Sequence, residues 1–218
     1  MVKKNKKKDK RKPAKPKSNI KASMPRAKPM TLRGPRYYLN HAREYPILGS
    51  WIMEGWRGSG ITSVVIARQQ SPDKVIFATY LVDFYCLGVK DALCNADFPL
   101  KRFNNNLPDL CSGKPEACDI GLAHELVYGA IEFARRYGFE PHPDFRLASM
   151  VLDPREAHPS KHQLEFGKDG KPLFIAGPYD DARAIVNQLG RTAGEGNFDY
   201  LVSFGDFGAI DDFEDLLD

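Results

Sequence analysis

Residues 61–68 are dense in β-branched side chains (Ile61, Thr62, Val64, Val65, Ile66), and residues 75–82 repeat that character. Ser71-Pro72-Asp73-Lys74 lies between them with turn chemistry, so the two runs predict a β-hairpin. Residues 84–93 are mostly apolar but carry Gly88, Lys90 and Asp91, which reads as a buried strand end turning into a short helix. The Asn104-Asn105-Asn106 run and Pro108 mark 95–115 as a long surface loop.

The spacing then becomes helical. Leu122, Leu126, Ala130, Phe133 and Tyr137 recur every three or four residues, with Asp119 placed to cap the first turn and Gly138 to end the last. That pattern predicts a helix over 119–137. Glu132 and Arg136 sit four apart on its outer face. Pro141 and Pro143 break the chain, Asp144 starts a second short helix to 152, and Pro154 stops it. Residues 163–166 and 172–176 flank Gly167-Lys168-Asp169-Gly170-Lys171, the pattern of a second hairpin with an Asp-Gly turn. Ile185, Val186 and Leu189 give a helix over 180–189 its inward face. Phe198, Tyr200, Val202 and Phe204 alternate as a half-buried strand over 197–204.

Strands that arrive in antiparallel pairs, without βαβ alternation, define an α+β class. The expected fold is a mainly antiparallel sheet built from two β-hairpins plus a C-terminal strand, with about three helices packed on it. The domain proper spans 61–204, and no internal repeat is visible. Residues 31–60 read as a linker or edge segment in which Arg33, Arg36 and Arg43 interleave with Tyr37, Tyr38 and Tyr45. Such a mixture suits stacking on exposed bases. It suits the edge of a core equally well.

Charge changes the picture at both ends. Residues 1–30 hold thirteen Lys or Arg against the single acid Asp9, a net +12. Because the whole chain of 218 residues is only +4, the remaining 188 carry −8. The segment also holds Pro13, Pro16, Pro25 and Pro29 and almost no large apolar side chain, so it is expected to be a disordered arm. Clustered cations beside a folded body are the footprint of polyanion binding, since each neutralised phosphate releases counterions. The candidate contacts are Lys3, Lys4, Lys6, Lys7, Lys8, Lys10, Arg11, Lys12, Lys15 and Lys17, continued by Arg33 and Arg36. Lysine carries no bidentate fork, so contact to backbone phosphate is expected over reading of base edges. At the other end, residues 205–218 carry six acids and no base, with Phe207, Ile210, Phe213 and Leu217 at helical spacing. This acidic amphipathic tail is expected to pack on its own domain, to compete with nucleic acid for the arm, or to dock in a groove of a protein partner.

Composition sets outer bounds. A hydrophobic fraction of 42% excludes wholesale disorder, and no apolar run approaches the roughly 18 residues of a membrane span. The Lys-rich start has no apolar region behind it, so no secretory signal is read. Four cysteines are too few for a disulfide scaffold and read as reduced thiols of a cytoplasmic protein.

Catalytic signatures fail one after another. Cys86, Cys94, Cys111 and Cys118 form no CxxC knuckle, and His158-x3-His162 with Cys111 and Cys118 has no helix to fix a zinc tetrad. His124-Glu125 opens like HExxH, but Tyr128 stands where the second His belongs. No GxSxG elbow occurs. The Gly-rich runs at 55–60 and 190–196 are not placed between a strand and a following helix, as a phosphate cradle requires. Carboxylates remain: Asp83 and Asp91 after the second strand, with Glu125 and Asp153 nearby in the element order, could serve a metal-dependent phosphodiester hydrolase. The leading expectation is a non-enzymatic protein bound to RNA or a ribonucleoprotein, without cofactor, metal or membrane. The hydrolase, and a protein-interaction or defence-system component, are the alternatives.

Overall fold

β2 (Ile61–Ser71) and β3 (Lys74–Asp83) are the hairpin expected from the sequence, paired antiparallel from Ile61 opposite Asp83 to Ser71 opposite Lys74. Their near-continuous apolar runs have a simple cause, which is that both faces of the strands are covered. Val64, Ile66, Ile76, Ala78, Tyr80 and Val82 point into one core, whereas Val65, Ala67, Val75 and Phe77 point into a second. The computed structural model describes residues 33–202. The basic segment 1–30 and the acidic tail 205–218 lie outside the described residues, as does Phe204.

The class is α+β. Around the hairpin stand β1 (Ile47–Met53), β4 (Gly88–Pro99) and β5 (Pro115–Cys118), giving the antiparallel order β4-β3-β2-β1-β5. β1 lies in the segment expected to be a linker, where it pairs Trp51 with Val65 and Ile52 with Val64. Ahead of it comes the short helix α1 (Pro35–Asn40), which starts on a proline whose missing N–H would have no helical acceptor anyway. β4 replaces the expected strand end and short helix. Gly88 turns into it with a φ of 73°, open to a residue without Cβ, and the strand then runs opposite β3 to Pro99.

α2 (Leu100–Leu110) likewise occupies the stretch expected to be a surface loop. Leu100, Phe103, Leu107 and Leu110 recur at three, four and three and pack on the Val65–Phe77 face of the sheet. The asparagines that suggested a loop lie on the outward side, and burial of Phe103 overrides their weak helix propensity. On the opposite face lies α3 (Ile120–Arg136), the helix expected from the sequence, with Asp119 Oδ1 accepting the Leu122 N–H at 3.0 Å. The short helix α4 (Phe145–Ala148) follows, with Val151 and Leu152 fully buried behind it.

The second hairpin is not formed as expected. Its Asp-Gly turn exists as a single bridge between Lys168 and Lys171. Instead β6 (Leu173–Ile175) pairs in parallel with β7 (Asp199–Leu201), connected through α5 (Ala182–Thr192). Residues 163–166 act as an anchor: the Phe166 ring fills the space left by the missing side chain of Gly129 on α3. Among the described residues three helices exceed six residues, and none is long and apolar enough to cross a membrane.

Candidate functional site

Arg68 sits near the end of β2 facing the α3 side, 2% exposed, in a strand otherwise apolar at its centre. A guanidinium there must find several acceptors, because an unpaired buried charge costs several kcal/mol. Its Nε donates to the Val151 carbonyl at 2.8 Å and its Nη1 to the Tyr45 carbonyl at 2.9 Å. Its Nη2 lies 2.6 Å from Asp153 Oδ1. Arg68 thereby fixes the turn after α4 against the sheet.

Asp153 is held from three directions. Besides Arg68, His158 Nε2 bonds Asp153 Oδ2 at 2.7 Å, and the Tyr128 hydroxyl donates to the Asp153 carbonyl at 2.8 Å. Burial alone would raise its pKa, but the Arg68 and His158 hydrogen bonds outweigh that and hold the carboxyl below its ordinary range.

His124 completes the group from the inner face of α3. Its ring meets His158 edge-on at 4.9 Å between centroids and Tyr128 at 5.7 Å. It is 1% exposed, and among the described residues neither ring nitrogen has a hydrogen-bond partner. Burial first, then the neighbouring His158, pushes its pKa down to about 4, so the ring is neutral at physiological pH. One ligand atom from each of His124, Asp153 and His158 lies within 4.8 Å of the others. The group opens on a cleft of about 430 Å³ also lined by Glu125, Glu132, Arg155 and Ser160. Arg155 pairs with Glu132 and reaches Glu125 at 3.4 Å.

The residues singled out from the sequence fall elsewhere. Asp83 is buried and accepts the Tyr85 and Cys86 N–H groups at 3.0 and 2.9 Å, holding the connection into β4. Burial raises its pKa to about 6, against the pull of those amides. Asp91 is exposed on β4, opposite Leu81, in a separate surface group with His142 and Asp144. The two acids of the hydrolase alternative are therefore not brought into one ligand group among the described residues. The thiol–imidazole tetrad does not assemble either. Cys111 packs in the α2-side core and Cys118 against the α3-side core, both with pKa pushed up to about 11 by burial, and His162 bonds Asp119 at 2.8 Å.

Arg33 and Arg36 are exposed at the start of α1, with the Arg33 guanidinium 4.1 Å over the Tyr37 ring. Arg43 turns inward, donating to the Leu152 and Ser149 carbonyls. Tyr38 and Tyr45 pack against the core, so only the leading part of that cation–aromatic stretch faces outward. The ten candidate contacts from Lys3 to Lys17 lie outside the described residues.

Sequence reasoning missed the His124–Asp153–His158 group because its members are 29 and 5 residues apart, a spacing that belongs to no local motif. The legible sign was Arg68, a lone cation closing a β-branched strand, which demands a buried acid somewhere. Comparison with known families, curated proteins and solved structures gives no significant match.

Proposed function

We propose that the protein associates with RNA or a ribonucleoprotein through its Lys-rich N-terminal segment, gripping phosphate backbone and not reading base edges. The observation that carries this reading is the partition of charge: +12 in residues 1–30 against −8 in the remaining 188. A polyanion is attracted to the first and repelled by the second, so binding is confined to the segment and steered there. Eleven of the thirteen cations are lysines, which act as point charges on phosphate.

Exposed Arg33 and Arg36 prolong the cationic run to α1. Tyr37 is stacked between the Arg33 guanidinium and the His41 ring. Exposed Arg33 at the end of this column gives an unpaired base a planar surface on which to stack, which favours single-stranded RNA over a duplex. The folded body then serves as the carrier that presents this segment.

The test is fluorescence anisotropy with a single-stranded RNA and a DNA duplex of equal length. It compares the full chain with a variant in which Lys3, Lys4, Lys6, Lys7, Lys8, Lys10, Lys12, Lys15 and Lys17 are all alanine. RNA affinity is expected to fall by more than an order of magnitude in the variant, with RNA preferred to duplex by the parent. Equal RNA affinity of parent and variant at low salt overturns the reading.

A further inference from the structure

We propose that His124, His158 and Asp153 bind one divalent cation of the zinc type. This site is independent of the basic segment and of the nucleic-acid reading. Two imidazoles and one carboxylate are the donor set that selects a borderline cation such as Zn²⁺ over Mg²⁺ or Ca²⁺, which prefer oxygen alone.

Two separate observations point to a ligand here. The first is the convergence of three side chains from α3 and the stretch after α4, with ligand atoms within 4.8 Å of one another. The second is His124 itself, a fully buried imidazole with neither nitrogen hydrogen-bonded among the described residues. A buried imidazole without partners is costly, and coordination of one nitrogen relieves part of that cost.

The geometry needs only a small adjustment. Ligand atoms around a tetrahedral zinc lie roughly 3.4 Å apart. His158 Nε2 and Asp153 Oδ2, now 2.7 Å apart, must therefore open by about 0.7 Å, while His124, within 4.8 Å of both, draws in by up to about 1.4 Å. His158, half-buried, has the freedom to move, while Arg68 and Tyr128 keep Asp153 in place as an outer shell does in metal sites. The cation replaces the hydrogen bond between His158 Nε2 and Asp153 Oδ2, and the neutral His158 ring binds it through Nε2 with its one proton carried on Nδ1, so no proton is lost from the ring. Arg68 already balances one carboxylate charge, which weakens the site relative to one whose acid has no cationic partner. His124 and His158 line the cleft that Ser160 also lines, so water or an anionic oxygen has access to the site.

The experiment titrates the full chain with Co²⁺ and with Zn²⁺, reading stoichiometry by calorimetry and ligand type by the visible spectrum of the Co²⁺ form. One equivalent should bind, with nitrogen–oxygen d–d bands and no thiolate charge-transfer band in the near ultraviolet. His158→Ala and Asp153→Asn should weaken binding at least tenfold. His142→Ala, in the exposed group with Asp91 and Asp144, should leave it unchanged. His124→Ala opens the core, so the half-buried His158→Ala, with its fold checked by circular dichroism, carries the test. Absence of one-equivalent binding overturns the proposal. So does undiminished binding by His158→Ala, loss in His142→Ala, or a thiolate band.

Discussion

Arg68 Nη2 and Asp153 Oδ1 meet at 2.6 Å, joining β2 to the turn that follows α4. The pair is buried on the Arg68 side, and the same guanidinium satisfies the Val151 and Tyr45 carbonyls. Removing one partner leaves the other charge without compensation in a poorly solvated place. Arg68→Met is therefore expected to cost about 3 kcal/mol, the lower part of the range for breaking a buried pair, since Asp153 keeps some access to water. Urea denaturation should show a lowered midpoint with an unchanged slope. The double variant Arg68→Met with Asp153→Leu should recover part of the loss, because it leaves no orphaned charge. A single-variant loss under about 1 kcal/mol contradicts the bracing role given to Arg68.

His124 and Asp83 act on acid stability in opposite directions. The folded-state pKa of His124 is depressed to about 4, so its contribution is present above the ordinary histidine range and is lost as pH falls toward 4. The folded-state pKa of Asp83 is raised to about 6, so its contribution is present below the ordinary carboxyl range and is lost as pH rises through 6. Between pH 4 and 6 the two slopes oppose each other. Asp83→Asn keeps a carbonyl acceptor for the Tyr85 and Cys86 amides while removing the titration. Its stability should fall more steeply than the parent's from pH 6 to 4, measured as urea midpoints at several pH values. Parallel profiles contradict the opposition.

Gly129 tests the anchoring of the 163–166 segment. A glycine inside a helix normally gains up to about 1 kcal/mol when changed to alanine. Here the new methyl would collide with the Phe166 ring, so Gly129→Ala should destabilise by about 1–3 kcal/mol, as overpacking does. A raised melting temperature would show that Phe166 yields without cost.

The parts of the fold legible in the sequence are those whose burial and local pattern agree. β2 and β3 announce themselves through β-branched residues and a Pro-Asp turn, and α3 through its spacing and its Asp119 cap. α2 was hidden because Asn104, Asn105, Asn106 and Pro108 speak for a loop, while Phe103, Leu107 and Leu110 form helix only once the sheet is there to cover them. The 172–176 run could not disclose its partner. Its pairing with β7 is parallel and spans α5, whereas the nearby Asp-Gly turn points to a local hairpin. The metal-capable group is illegible for a related reason: Arg68, His124, Asp153 and His158 are joined by tertiary packing and by no motif.

The acidic residues 205–218 offer a test of competition within the chain. Their six carboxylates can raise the local acid concentration around the basic segment, and exposed charges are screened beyond about 8 Å at physiological ionic strength. Truncation at residue 204 should tighten RNA binding at low salt and change it little at high salt. Equal affinities at low salt would remove the tail from the binding equilibrium.

The salt dependence of RNA binding, compared between the full chain and a chain lacking residues 1–30, tests the proposed nucleic-acid association most directly. If about half of the thirteen cations contact phosphate, the full chain's log K should fall with log salt at a slope near −4. The shortened chain should bind weakly, with a slope near zero and an unchanged melting temperature. Equal slopes and affinities for the two chains would contradict the account.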